Sequence, residues 1–252
     1  ERRSLGEIPV DQGGELTEAA SIRFGCIAIV PSGGSGSRFG APLPKQYSVI
    51  AGRKVIDHTL AALLACPEIE HVVVNVQHDD AHIDDTATTF PSVTFLRNAG
   101  ATRAETVQNA LQAMGKRVKR DAWVLVHDAA RPCVLASDVA RLVARVGAHA
   151  VGGLLASPVT DTLKRATREN EVAETVPRAD MWRAQTPQMF RYETLVHALA
   201  CSPDVTDEAQ AIEALGMSPL IVEGSARNIK ITQPEDAALA AFYLSRSSPD
   251  KA

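Results

Sequence analysis

Residues 30–47, VPSGGSGSRFGAPLPKQY, place four glycines within eight positions behind an apolar run, CIAIV, with two cations, Arg38 among the glycines and Lys45 shortly after them. A glycine-rich turn exposes backbone N–H groups with no Cβ in the way, and at the end of a strand it is a common cradle for phosphate. Three glycine motifs compete here. A P-loop needs Lys-Ser or Lys-Thr after its glycines, and none follows. Gly34, Gly36 and Gly40 fit the dinucleotide fingerprint loosely, but the next strand begins only near residue 71, behind a proline-containing loop that carries Lys45, where that fold would have its helix running. A loop wrapped around a triphosphate remains, or a tight turn that binds nothing.

These residues need a frame, and the chain supplies a βαβ rhythm. Short apolar runs at 26–30, 71–76, 93–96, 123–127 and 152–156 alternate with amphipathic stretches, predicting an α/β fold with a Rossmann-like, mostly parallel sheet flanked by helices. Helices are expected over KVIDHTLAALLAC, TRAETVQNALQAM, SDVARLVARV, YETLVHALA, TDEAQAIEAL and QPEDAALAAFYLS. Thr102 with Glu105, and Thr232 with Glu235, have the spacing of capping boxes, and Ser137 suits an N-cap. PLIVEG and NIKIT read as strands. Residues 157–190 carry three prolines, many charges and little periodicity, which predicts an arm leaving the domain. Residues 1–21 read as a loose leader, and 22–252 as one domain.

A formal net charge of -4 over 252 residues argues against a general nucleic-acid-binding surface, so any polyanion must meet cations gathered locally. Cys26, Cys66, Cys133 and Cys201 form no CxxC pair, which points to reduced thiols and a cytoplasmic protein; no run reaches membrane-spanning length. HDDAHIDD offers His78 and His82 four residues apart among aspartates, a metal-like spacing, but it lacks the glutamate of a zinc-protease helix and reads as a solvated helix start.

The arrangement G-x-G-x-R-(x)6-K, with VHDAARP, resembles the nucleotidyltransferases that activate sugar or alcohol phosphates. PKQY, RAETV, DTLKR, TPQ-x-F, TDEA and the EG…NIKIT-x-PED tail follow in an order similar to the 2-C-methyl-D-erythritol 4-phosphate cytidylyltransferase family of the non-mevalonate isoprenoid pathway, over about residues 25–246. That resemblance implies cytidylyl transfer from CTP to methylerythritol phosphate with Mg²⁺ or another divalent cation held mainly by the triphosphate. It also implies a homodimer that exchanges arms. A ribitol-phosphate or other sugar-phosphate cytidylyltransferase is the alternative.

Carried onto this chain, the resemblance makes Arg38, Lys45, Arg178 and Lys230 the catalytic cations, with Arg178 on the arm. The CTP-binding set is Pro31, Ser32, Gly33, Gly34, Gly36, Gly100, Arg103, Thr106, Asp128 and Ala129. Asp128, Thr162, Arg178, Thr186, Thr206 and Lys230 would hold the acceptor, while Arg131 and Pro132 fix the turn after Asp128. Thr232 could offer a hydroxyl, and helix capping is a rival role for it and for Thr206. Three positions depart from the family: Ser32 and Gly33 stand where alanines are usual, and Ala101 where an acidic residue is often found.

Overall fold

The computed structural model describes residues 24–34 and 43–246, so Arg38, Gly36 and the leader lie outside the described residues. The central sheet has seven strands: β1 (Phe24–Pro31), β4 (His71–Asn75), β5 (Thr94–Leu96), β6 (Val118–Val126), β7 (Gly152–Pro158), β10 (Trp182–Arg191) and β11 (Leu220–Glu223). Their order is β11-β7-β10-β6-β1-β4-β5, and every neighbouring pair is parallel except the two that involve β10. The mostly parallel Rossmann-like sheet is therefore present, with one reversed strand.

Both faces of the sheet are covered, because β4 is buried along its whole length and β1 from Cys26 to Val30, and alternate residues feed opposite layers. Cys26, Ala28 and Val30 pack on one side with Leu60 and Leu63 of α1 (Val55–Leu64) and Leu142 and Val146 of α4 (Ala136–Val146). Ile27 and Ile29 pack on the other with Leu111 and Met114 of α3 (Arg103–Met114), Leu195 and Leu199 of α5 (Tyr192–Cys201) and Ile212 of α6 (Glu208–Ala214). A third, smaller cluster joins Ile50 of β2 (Val49–Ile50), Val55, Cys133, Ile231 and Ala240 of α7 (Pro234–Ser245). It ties the C-terminal helix to the turn that follows β6.

Four local expectations shift. The stretch 157–190 is not uniformly irregular: β8 (Leu163–Ala166) and β9 (Val172–Val176) form a separate hairpin, and 182–191 return as β10, buried from Gln185 to Phe190. Its charged first half hides the strand pattern. NIKIT is no strand; it docks as a loop, with the Ile231 N–H donating to the Ala130 carbonyl. The α7 box uses Gln233 and Asp236 in place of Thr232 and Glu235, because Pro234 takes the first helical position and moves the cap by one. Helix α4 starts at Ala136 with Leu135 as N-cap, so Ser137 lies inside it. His78 and His82 precede α2 (Asp84–Thr89), whose first turn holds Asp84 and Asp85, and they do not share a helical face.

Candidate active site

A cavity of about 350 Å³ opens beyond the carboxyl ends of β1, β4 and β6, where open α/β sheets collect ligands. One wall is the turn after β1, Pro31, Ser32, Gly33 and Gly34. The opposite wall is Gly100, Ala101, Thr102, Arg103 and Thr106, and the floor is Asp128, Ala129 and Ala130. Lys45, Gln46, Lys230 and Thr232 complete the lining.

Two amides staple the glycine turn in place. Gln77 donates from Nε2 to the carbonyls of Gly33 at 2.9 Å and Gly100 at 3.1 Å, bridging the walls. Gln46 donates to the carbonyls of Ser32 at 3.2 Å and Gly34 at 3.3 Å from the 3-10 turn Lys45–Tyr47, and thereby ties Lys45 to the same wall. Gly33 is required by packing: a Cβ there would sit 2.6 Å from the Ala99 Cβ. Gly100 is tighter still, 2.3 Å from the Glu105 Cβ. The glycine at position 33, where the resembled family has alanine, is thus matched by the side chain across the turn.

The Thr102–Glu105 capping box is formed as expected, with the Glu105 N–H donating to Thr102 Oγ1 at 3.1 Å and the carboxylate accepting from the Ala101 and Thr102 amides. Thr106, 2% exposed, donates its hydroxyl to the Thr102 carbonyl and accepts from the Gly100 N–H. It therefore organises the wall.

Charge concentrates on the floor. Asp128 is buried and accepts from Arg103 Nε at 2.9 Å, Lys230 Nζ at 2.9 Å and Arg131 Nε at 3.4 Å. Burial alone would raise its carboxyl, but the three cations, Arg103 foremost, hold it well below the ordinary carboxylate range. Arg103 also makes a two-pronged contact with Glu208, 2.7 and 3.0 Å, and Glu208 is 0% exposed. Burial works against the guanidinium charge, yet Glu208 and Asp128 overcome it and keep Arg103 above its usual value. Lys45 lies near enough to Asp236 to help hold that carboxyl low. Burial opposes this, while the Gln233 and Thr232 contacts supply most of the lowering.

Of the expected residues, Pro31, Ser32, Gly33, Gly34, Lys45, Gly100, Arg103, Thr106, Asp128, Ala129 and Lys230 line the cavity. Four do not. Thr186 is buried beneath the floor and accepts the Asp128 N–H at 3.0 Å. Thr206 is exposed and donates from its N–H and hydroxyl to the Gln210 side chain, while Asp207, the next residue, is the N-cap of α6. Thr162 is exposed on the arm, and Arg178, also exposed there, donates to the Thr160 carbonyl. Gln46, Gln77 and Glu208 are not singled out by the sequence: the first and last lie inside the quoted PKQY and TDEA, but Gln77 and Glu208 matter only through partners 23 or more residues away.

A glycine turn and two lysines lining one cavity at the head of a mostly parallel sheet define a nucleotidyltransferase site of the Rossmann-like class. The sequence pattern of the 2-C-methyl-D-erythritol 4-phosphate cytidylyltransferases matches residues 26–246. The chain is 51% identical over 220 residues to the enzyme of that name from Chromobacterium violaceum, covering 86% of this chain and 97% of the relative. It is 52% identical over 219 residues to that of Dechloromonas aromatica, covering 86% and 96%. A crystal structure of a 4-diphosphocytidyl-2C-methyl-D-erythritol synthase superposes with a TM-score of 0.79 at 40% identity, over 87% of this chain and 98% of that one. The chain belongs to the 2-C-methyl-D-erythritol 4-phosphate cytidylyltransferase family.

Proposed function

We propose that the chain transfers the cytidylyl group of CTP to 2-C-methyl-D-erythritol 4-phosphate, giving 4-diphosphocytidyl-2-C-methyl-D-erythritol and pyrophosphate. A phosphate oxygen of the acceptor forms a bond to the α-phosphorus as the bond to the β-phosphate bridging oxygen breaks, and pyrophosphate leaves with that electron pair. Both reactants are anions. Two unit charges 4 Å apart repel by about 4 kcal/mol at an effective dielectric near 20, so the protein's task is to neutralise charge and fix geometry. The observation that carries the reading is the cavity in which Lys45 and Lys230 stand between the glycine turn and Asp128.

In this reading the turn at Ser32–Gly34 and Arg38 receives the triphosphate, and Lys45 stabilises charge developing at phosphorus. Lys230 exchanges its Asp128 contact for the acceptor phosphate, leaving the carboxylate to the acceptor hydroxyls or the metal region. The wall at Gly100 and Ala101 reads the base. Among the described residues no cluster of three or more metal-ligating side chains exists, and Asp128 is the one carboxylate lining the cavity. That donor set fits a divalent cation such as Mg²⁺ carried mainly by triphosphate oxygens, where it would neutralise charge and hold the phosphates in line.

We further propose a homodimer. The arm exposes Val172 (65%), Met181 (43%) and Trp182 (38%) beside Arg178, an apolar surface suited to a second copy, with Arg178 reaching the partner's acceptor phosphate. The described residues contain no helix long and apolar enough to cross a membrane, and the unpaired Cys26, Cys66, Cys133 and Cys201 suit the cytoplasm.

Pyrophosphate release tests the reading, using CTP, UTP, ATP and GTP against methylerythritol phosphate, ribitol phosphate and other sugar phosphates. Release confined to CTP with methylerythritol phosphate and a divalent cation is expected. Preference for ribitol phosphate would move the chain to the alternative acceptor, and no release with any pair would overturn the proposal.

A further inference from the structure

Beneath Asp128, four residues from three distant segments close a ring of hydrogen bonds. His127 lies 3.1 Å through Nε2 from the Arg131 carbonyl. Arg131 donates from Nη1 to the Asn228 carbonyl at 2.6 Å, and Asn228 from Nδ2 to the Thr186 carbonyl at 2.7 Å. Thr186 Oγ1 then lies 3.0 Å from His127 Nδ1 and completes the circuit. A carbonyl only accepts, so Nε2 carries the proton; the neutral ring leaves Nδ1 bare, and the Thr186 hydroxyl donates to it. The remaining lone-pair capacity of that hydroxyl accepts the Asp128 N–H.

The ring sits where substrate does not. His127 is 0% exposed, and burial pushes its imidazole down to about 4, a fall opposed by the hydrogen bond to the Arg131 carbonyl and by the Asp128 charge and reinforced by the Arg131 guanidinium. Thr186 can reach Asp128 because β10 loses register with β7 between Ala184 and Gln188. Asn228 is two residues from Lys230, so the ring spans the turn that bears Asp128 and the loop that bears Lys230, whose ends meet at 2.9 Å.

We infer that His127 is a positioning residue: as a neutral Nε2–H imidazole it locks the Asp128 turn to Thr186 and to the loop carrying Lys230, and so fixes the two charged groups on the cavity floor. Its kinetic consequence rests on the cytidylyl-transfer reading; its hydrogen-bond state does not. Long-range ¹H–¹⁵N correlation on ¹⁵N-histidine-labelled protein reads the tautomer. His127→Phe and Thr186→Val remove the Nδ1 contact from either side, and His127→Asn keeps an acceptor for the Thr186 hydroxyl. The expected result is a bare Nδ1 at neutral pH, kcat lower by about 10- to 100-fold in the first two variants with KM for CTP within about threefold, a double variant no worse than the more impaired single, and partial recovery in His127→Asn. A protonated Nδ1 would overturn the inference. So would a folded His127→Phe or Thr186→Val enzyme with parental kcat, or losses that multiply in the double variant. If His127→Phe does not fold, Thr186→Val and the tautomer decide. A parent that releases no pyrophosphate from any pair fails the transfer reading alone, because the tautomer is read on that same protein.

Discussion

Asp128 binds three cations before any substrate arrives, and what each does next depends on its other partners. Arg103 is committed to Glu208 as well, a buried pair whose partners are 105 residues apart, so it braces the floor and Lys230 is the cation left to move. Lys45→Ala should lower kcat by a factor equivalent to about 2.7–4 kcal/mol, as loss of a transition-state donor does; pyrophosphate-release kinetics on the folded variant check it. The buried histidines add a pH signature. His71 and His127 are both pushed down to about 4 by burial, so the unfolded chain takes up their protons first and stability drains as pH falls from about 6.5 to 4. Each should contribute about 3 kcal/mol to that loss. Urea unfolding at a series of pH values should show the decline, and His71→Gln should shrink it; an unchanged slope would refute the assignment. Asp128, held low, adds stability above about pH 4 that is lost only on further acidification.

Helix α3 delivers a cavity wall by its first turn, so its cap is part of the site. The Thr102–Glu105 box was legible because every contact lies within four residues. Thr102→Ala should cost about 1 kcal/mol of stability, measured by denaturant unfolding, and raise KM for CTP because the Ala101–Thr102 wall loosens. The cap of α7 was misplaced by one position for an equally local reason, since Pro234 outcompetes Thr232 for setting the helix start. Gly33→Ala should destabilise the chain and weaken CTP binding together. Its new methyl would meet the Ala99 Cβ at 2.6 Å, and calorimetric titration with CTP would show the loss.

At the scale of the whole molecule, β10 both completes the sheet and brings the chain back from the β8–β9 hairpin, so the arm is anchored in the core beside the active-site floor. The exposed Val172 and Met181 predict self-association through the arm. Val172→Asp with Met181→Asp should convert the proposed dimer to monomer in analytical ultracentrifugation and reduce activity, and a parent chain that is monomeric at every concentration would remove the arm-exchange proposal. The exposed Arg178, bonded to the Thr160 carbonyl of its own arm, gives that experiment its catalytic readout.

By itself the sequence determined the layers, the strand–helix rhythm, the glycine turn and the family, because periodicity, turn chemistry and linked motifs are written within short windows. It could not display β10, whose exposed leading residues follow a charged hairpin and mask a buried strand, nor assign NIKIT to a docked loop in place of a strand. Only the tertiary structure decided that Thr186 lies under the floor, that Gln77 joins both walls, and that Glu208 and Asp128 share one arginine. Those contacts join residues 23 to 105 positions apart, and the burial that gives them their strength exists only once the sheet has closed around them.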